Sequence, residues 1–237
     1  QKVDYDYNVR GWLKQINNPD NLGTDLFSFK INYNQQETTV QNFDNLYNGN
    51  ISQTIWKTAN DNQLRGYSYR YDALNRIIQG YSLKTESLMT EGSHSIWGIG
   101  YDKNGNINNL TRNNKISGAT TKIDELYYTY SNNKLEKVRD LSNSPHKNEG
   151  FKDGTNSGDD YRYDLNGNMV MDLNKGIGST SVDGITYNHL NLPTSVTLSG
   201  GTINYKYDAT GNKLRKTIGY EVIDYAGNYI YKKINSA

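Results

Sequence analysis

The chain has no cysteine, only three prolines and no long apolar run. Each shortage closes off a class of protein. Without cysteine there are neither disulfides nor thiolate metal sites, although the redox compartment stays open. No apolar stretch is long enough for a membrane-spanning helix. No basic-then-apolar segment follows Gln1, so no signal peptide is expected in these residues. Charge bias is missing too: 26 basic against 25 acidic residues leave a net charge of +1. That balance gives neither nucleic acid nor an anionic membrane a reason to bind. Even the hydrophobic share, 34% of 237 residues, is low for a globular protein.

What fills the chain instead is asparagine (33), glycine (22) and tyrosine (21). So many aromatics argue against disorder, and the length allows a substantial core in one or two domains. These residues recur in a pattern, Y-x-Y-[DN]-x-x-G-[NK]-[ILM]. It reads YDYNVRGWL at 5–13, YRYDALNRI at 69–77, IGYDKNGNI at 99–107, YRYDLNGNM at 161–169 and YKYDATGNKL at 205–214. Weaker copies are YTYSNNKL at 128–135, ITYNHLNLP at 185–193 and DYAGNYIY at 224–231. A split copy begins INYN at 31–34 and resumes with GNI at 49–51. The residues that define the repeat are Tyr5, Tyr7 and Gly11; Tyr69, Tyr71 and Asp72; Tyr101, Asp102 and Gly105; Tyr128 and Tyr130; Tyr161, Tyr163, Asp164 and Gly167; Tyr187; and Tyr205, Tyr207, Asp208 and Gly211. From Tyr71 onward the aligned tyrosines are 20 to 33 residues apart, as fixed units joined by variable loops would be.

The unit reads as a β-hairpin. Tyrosines two apart point to one face of a strand, where they stack across to neighbouring strands. Asp or Asn opens a turn by accepting from backbone amides just ahead of it. The Asn-Gly pairs at 104–105 and 166–167 tolerate the positive φ that hairpin turns use, and the apolar residue after them starts the return strand. The expected fold is all-β, an array of antiparallel hairpins over residues 1–237. Its tyrosine face is either covered or turned to a confined, partly wet space, where a ring with a hydroxyl suits better than leucine. Two long polar loops interrupt the rhythm, at 82–95, with a helical turn near 86–89, and at 139–160.

This recurrent YxYDxxGN[IL] unit resembles the YD repeat of bacterial Rhs proteins and of the related teneurin shells, and the resemblance covers nearly the whole chain. It implies a curved or spiral sheet of hairpins forming part of the wall of a hollow shell. In that family the shell commonly encloses a C-terminal toxin of a secreted polymorphic toxin. The resemblance therefore implies encapsulation and delivery of an effector, a secreted or cell-surface bacterial location, and two partners: the remainder of a longer chain and an enclosed effector domain. Asn-, Lys- and Tyr-rich arrays also resemble cargo of Gram-negative secretion systems, the type IX system among them, so a secretion-system component is a further partner to consider. The family's self-cleaving DPxG motif does not occur here; Pro19 is followed by Asp20 but not preceded by Asp. The expectation is a fragment of a longer protein.

Little in the sequence points to chemistry. His94, His146 and His189 lack any paired ligand spacing. GSHS at 92–95 is not a nucleophile elbow, and Gly176-Ile177-Gly178 lacks the third glycine of a dinucleotide loop. DLNGNMVMD at 164–172, DKNGN at 102–106 and DGTNSG at 153–158 have the oxygen spacing of calcium loops, but none brings the glutamate at position twelve. A structural turn explains the same residues, so no metal, cofactor or catalytic residue is expected, and the chain is not expected to be an enzyme. The alternative is a surface binding module that recognises glycans or a cell-surface partner through exposed aromatics, Trp12, Trp56 and Trp97 among them. Packing across strands is the preferred reading of those rings.

Overall fold

In the computed structural model the described residues are 2–37, 40, 43–84, 92–154 and 157–234. They form strands joined in sequence order and paired antiparallel. The first hairpin is β1 (Tyr5–Tyr7) with β2 (Leu13–Ile16), and β3 (Phe27–Asn32) with β4 (Gln53–Thr58) is the split copy. Then come β5 (Arg65–Tyr71) with β6 (Ile77–Lys84), β7 (Ile96–Tyr101) with β8 (Ile107–Ile116), and β9 (Ala119–Ser131) with β10 (Lys134–Asp140). The remaining pairs are β11 (Tyr161–Tyr163) with β12 (Met169–Asp172), β13 (Ile185–Tyr187) with β14 (Pro193–Leu198), β15 (Gly201–Tyr207) with β16 (Lys213–Ile218), and β17 (Glu221–Ala226) with β18 (Tyr229–Ile234). One sheet runs β1 to β10 in order, a second holds β11 and β12, and a third runs β13 to β18. The described residues contain no α-helix, only two short 3-10 turns at Lys147–Glu149 and Leu173–Lys175. The all-β hairpin array read from the sequence is the observed architecture.

Two compact units divide the chain: Gln1–Tyr127 with Asp140–Phe151, and Tyr128–Arg139 with Lys152–Ala237. The division passes through β9 and β10, and the repeat occurs in both units.

In the first unit alternation places the side chains. Thr54 and Trp56 share a face with Tyr67 and Tyr69; Trp56 stacks on Tyr67 with centroids 5.9 Å apart, and Tyr67 on Tyr69 at 6.2 Å. The paired tyrosines do share a face, as their spacing predicts. They are only half-buried, however, and the fully buried side is the opposite one. There Gln53, Ile55, Ser68 and Leu83 are closed off from water. The cover comes from the insertion in the split copy, whose Val40 and Phe43 pack with Ile55 and Leu83. Ser68 and Gln53 satisfy one another, Gln53 Nε2 donating to Ser68 Oγ at 3.0 Å, so their burial carries no orphan penalty. The second unit has a smaller apolar centre that includes Val170, Met171, Ile177 and Ile185.

The two interruptions differ from expectation at their edges. Ser82 to Lys84 continue β6 rather than opening a loop. Leu83 is the reason, since its side chain belongs to the core over Ile55. The helical turn expected near 86–89 lies outside the described residues. In the second interruption Arg139 and Asp140 finish β10. The segment after them is fastened rather than freely exposed: Leu141 N–H donates to Glu125 O at 2.9 Å and Phe151 N–H to Asp124 Oδ1 at 2.6 Å. A buried carboxylate needs such donors, and the polar excursion supplies them.

The strand assignment of Leu83 makes a specific forecast. Leu83→Ala lowers unfolding free energy by about 2–5 kcal/mol, the range for deleting a buried Leu, whereas Ile230→Ala on the exposed strand β18 changes it by no more than about 0.5 kcal/mol. Urea unfolding followed by circular dichroism reads both; a small effect at Leu83 contradicts the buried strand.

Candidate functional site

The residues that the repeat singles out meet at one repeated joint, made of a turn and a tyrosine. The turn has one construction at six places. Asp72 Oδ1 accepts from the amides of Leu74 and Arg76, both at 2.9 Å. Asp102 Oδ1 does so from Asn104 and Asn106 (2.8 Å each), Asp164 from Asn166 and Asn168 (2.9 and 2.8 Å), and Asp208 from Thr210 and Asn212 (2.9 Å each). Asn8 and Asn188 repeat it with their amide oxygens. The second carboxylate oxygen takes the side chain four residues on: Asn106, Asn168 and Asn212 donate Nδ2 at 2.8–2.9 Å, and Arg76 donates Nε at 2.7 Å. This explains the asparagine after the glycine of the motif.

One backbone detail corrects the sequence reading. Asn104 and Asn166 are not left-handed; only the residue after them is, with φ of 91° at Gly105 and 86° at Gly167. Gly11 and Gly211 match at 77° and 90°, and Asn75 and Asn191 occupy the position in the copies that lack glycine. The amide of this residue donates to the Asp carbonyl three back (Gly105 to Asp102, 3.2 Å), and the Asp amide donates to the carbonyl four on (Asp102 to Asn106, 2.9 Å). That is a three-residue hairpin loop with a left-handed bulge residue, not a two-residue Asn-Gly turn. Two-residue loops occur elsewhere, as at Ser117-Gly118 between β8 and β9.

The second tyrosine of the motif has a separate task. Its hydroxyl donates to a backbone carbonyl of the preceding hairpin: Tyr33 to Leu13 (3.1 Å), Tyr71 to Ile51 (2.9 Å), Tyr101 to Ile77 (2.6 Å), Tyr163 to Leu135 (2.9 Å), Tyr187 to Met169 (2.6 Å) and Tyr207 to Pro193 (3.0 Å). The acceptor residue lies at the start of the return strand, as its first or second residue, or just ahead of it. In several copies it is the direct partner of the previous tyrosine, as with Tyr71↔Ile77 and Tyr163↔Met169. Burial raises the pKa of each of these phenols, so they stay protonated and able to donate. Tyr161, pushed up to about 12 chiefly by burial, is further from ionising still.

The sequence-defined residues thus divide by role. Asp72, Asp102, Asp164 and Asp208 close turns, the four glycines provide the left-handed bend, and Tyr71, Tyr101, Tyr163, Tyr187 and Tyr207 latch. Tyr69 and Tyr205 lean on their neighbours, Tyr205 on Tyr207 at 6.4 Å, and Tyr161 begins β11. Tyr5 and Tyr7 lie exposed on β1, and Tyr128 and Tyr130 lie on β9. The turns do not have the form of calcium loops: their carboxylates already accept N–H donors on both oxygens, and Asn106 and Asn168 present nitrogen rather than oxygen. Thr155 and Asn156 of the third candidate lie outside the described residues. Among the described residues no three of His, Asp and Glu stand together as a metal-binding group.

Sequence reasoning missed the four acids Asp124, Asp140, Asp160 and Asp172, all buried. They hold backbone: Asp140 Oδ1 takes the amides of Glu125 and Ser142 (2.9 Å each), Asp160 Oδ2 that of Val138 (2.8 Å), and Asp172 Oδ1 that of Lys175 (3.2 Å). Asp124 also pairs with Arg112 at 2.5 Å. The amides of Glu125, Val138 and Phe151 belong to distant segments, which no spacing signals, while those of Ser142 and Lys175 are local to their acids.

Two forecasts follow from the joint. The latch matters most where strand pairing between hairpins is thin. Among the described residues no ladder joins β10 to β11 or β12 to β13, whereas four residue pairs join β14 to β15. Tyr163→Phe and Tyr187→Phe therefore each cost about 0.5–1.5 kcal/mol, and Tyr207→Phe costs less; urea titration of the three variants measures the order. The turn acids give a pH signature. Hydrogen bonds from Asn212 and Thr210 bring Asp208 down to about 2 from a usual 3.8, and Asp102 and Asp164 are lowered likewise, first by their asparagines. A lowered folded-state value means the stabilisation is complete above the unfolded value near 3.8 and is lost as pH falls towards 2. Melting temperature drops over that window, and Asp208→Asn flattens the drop; a stability that is constant from pH 4 to about 2 contradicts the assignment.

No family model and no curated protein matches the chain. Among solved structures it is similar to a chain in "Crystal Structure of TcdB2-TccC3-Cdc42", at 13% identity, TM-score 0.58, with 97% of this chain and 12% of that chain covered. A chain in "Crystal Structure of TcdB2-TccC3 without hypervariable C-terminal region" matches at 12% identity and TM-score 0.34, covering 97% and 13%. This chain thus spans about an eighth of the chains it matches. The first likeness supports an Rhs-like fold for the hairpin array.

Proposed function

We propose that this chain is a wall segment of a large secreted or surface-exposed Rhs-type protein, whose shell encloses an effector and delivers it. The observation that carries the reading is the joint itself. In most copies the distinctive residues turn the chain or fasten one hairpin to the one before. That is what a wall needs, and it leaves the motif no residue for chemistry. A wall role is also in keeping with the likeness to a chain about eight times longer, of which this array is similar to one part. In this reading the partners are the rest of the parent chain and the enclosed effector, and the segment is not an enzyme.

Electron microscopy of the full-length parent protein tests the proposal. A hollow particle with density inside it, from which limited proteolysis releases no effector until the wall is opened, is the expected result. A solid particle, or an effector cleaved as fast as when it is free, overturns it.

A further inference from the structure

The split repeat is the one place where the array is interrupted inside a hairpin, between β3 and β4. In repeat proteins such insertions commonly carry the binding face. Part of this insertion serves the core through Val40 and Phe43. The rest, 44–50, stands beside the first hairpin and walls a groove of about 430 Å³, within the range of small-ligand sites.

Three features of its lining bear on a ligand. First, it gathers three aromatic rings, Trp12, Tyr33 and Tyr47. Trp12 and Tyr33 lean together at 5.2 Å, and the backbone of Gly49 comes so near that a Cβ there would sit 2.9 Å from the Trp12 ring. Tyr47 belongs to no repeat position, latches nothing and is 76% exposed. Secondly, the cations of the groove are Arg10 and Lys14, and no Asp or Glu lines it. Lys14 is paired with Asp6 at 3.3 Å. Arg10 lies over the Trp12 ring at 5.2 Å and has no carboxylate partner among the described residues. Thirdly, the primary amides of Asn34 and Gln35 border the groove, and the Asn34 side chain has no hydrogen-bond partner among the described residues.

We infer that this groove binds a carboxylate-bearing oligosaccharide, with Arg10 receiving the carboxylate, Tyr47 stacking on a sugar ring and Asn34 and Gln35 bonding its hydroxyls. A guanidinium offers a carboxylate two parallel donors, and that of Arg10 sits over the tryptophan ring, 5.2 Å from its centroid. A sugar ring offers C–H groups to an aromatic face and paired hydroxyls to amides. An extended peptide would instead seek a free strand edge for its backbone, and this groove presents side chains. The inference goes beyond the wall reading and does not depend on it.

Isothermal titration of the 237-residue chain with trigalacturonate, 3′-sialyllactose, neutral maltotriose and an acidic hexapeptide tests it. Saturable binding of at least one acidic saccharide is expected, with maltotriose weaker by about tenfold or more, and with Arg10→Gln and Tyr47→Ala each weakening the acidic ligand by about tenfold. Both side chains are exposed, so circular dichroism of the variants should match that of the parent chain. Four results each overturn the inference: no saccharide binding, equal affinity for maltotriose, binding indifferent to both substitutions, or binding of the peptide alone.

Discussion

A phenolic hydroxyl that reaches back to the carbonyl of the previous hairpin is the interaction on which the array depends. Ordinary sheets are held across strands by ladders of backbone bonds. Here some of the ladders between hairpins are thin: among the described residues two residue pairs join β2 to β3 and one joins β6 to β7, and no ladder joins β10 to β11 or β12 to β13. At each of these thin seams a tyrosine latch is present. Single bridging residues help at the same places: Asp160 N–H donates to Glu136 O, and its own carbonyl accepts from Leu173. At these seams the latch and the bridging bonds stand in for part of the missing ladder.

The composition follows from this arrangement. A hairpin fixed by its own turn acid and by one latch needs less apolar burial than a strand held only by a core. Asparagine serves as the cap on the turn carboxylate, as the turn acceptor in Asn8 and Asn188, and as the left-handed residue in Asn75 and Asn191, a conformation it enters more readily than most. Where asparagine takes the glycine position it gains a further use: Asn75 Oδ1 accepts from Asn48 and Asn50, and Asn191 Oδ1 from Asn168, tying one turn to the one before. Tyrosine is the matching choice for the sheet, since phenylalanine would stack as well but could not latch.

What could be read from the letters was whatever is local. Two tyrosines on one side of a strand, an acid opening a turn and a glycine bending it all lie within nine residues, so spacing alone exposes them, and the all-β hairpin fold follows. The latch was not legible because its acceptor is a peptide carbonyl, which every residue has. The turn type was only partly legible: Asn-Gly suits a positive φ at either residue, and the carboxylate two positions before the asparagine holds the asparagine's own amide and leaves the left-handed bend to the glycine. The insertion between β3 and β4 has no period, so nothing announced that Val40 and Phe43 would bury the small-residue face of β5, Gly66 and Ser68, rather than its tyrosine face. Trp56 was weighed as a glycan platform, and the ring it stacks on is Tyr67; Trp12 is the tryptophan that borders an open groove.

The same local logic accounts for the exposed hairpin β17–β18. Its turn is two residues, Gly227-Asn228, with neither acid nor latch, and Tyr229, Ile230, Tyr231 and Ile234 stand exposed along β18. A bare apolar edge would invite indiscriminate pairing. Lys232 and Lys233 stand between Tyr231 and Ile234, and Lys232 is held by Glu221 at 2.7 Å. Stability in such an array is carried joint by joint, each hairpin relying on its neighbours rather than on a single centre.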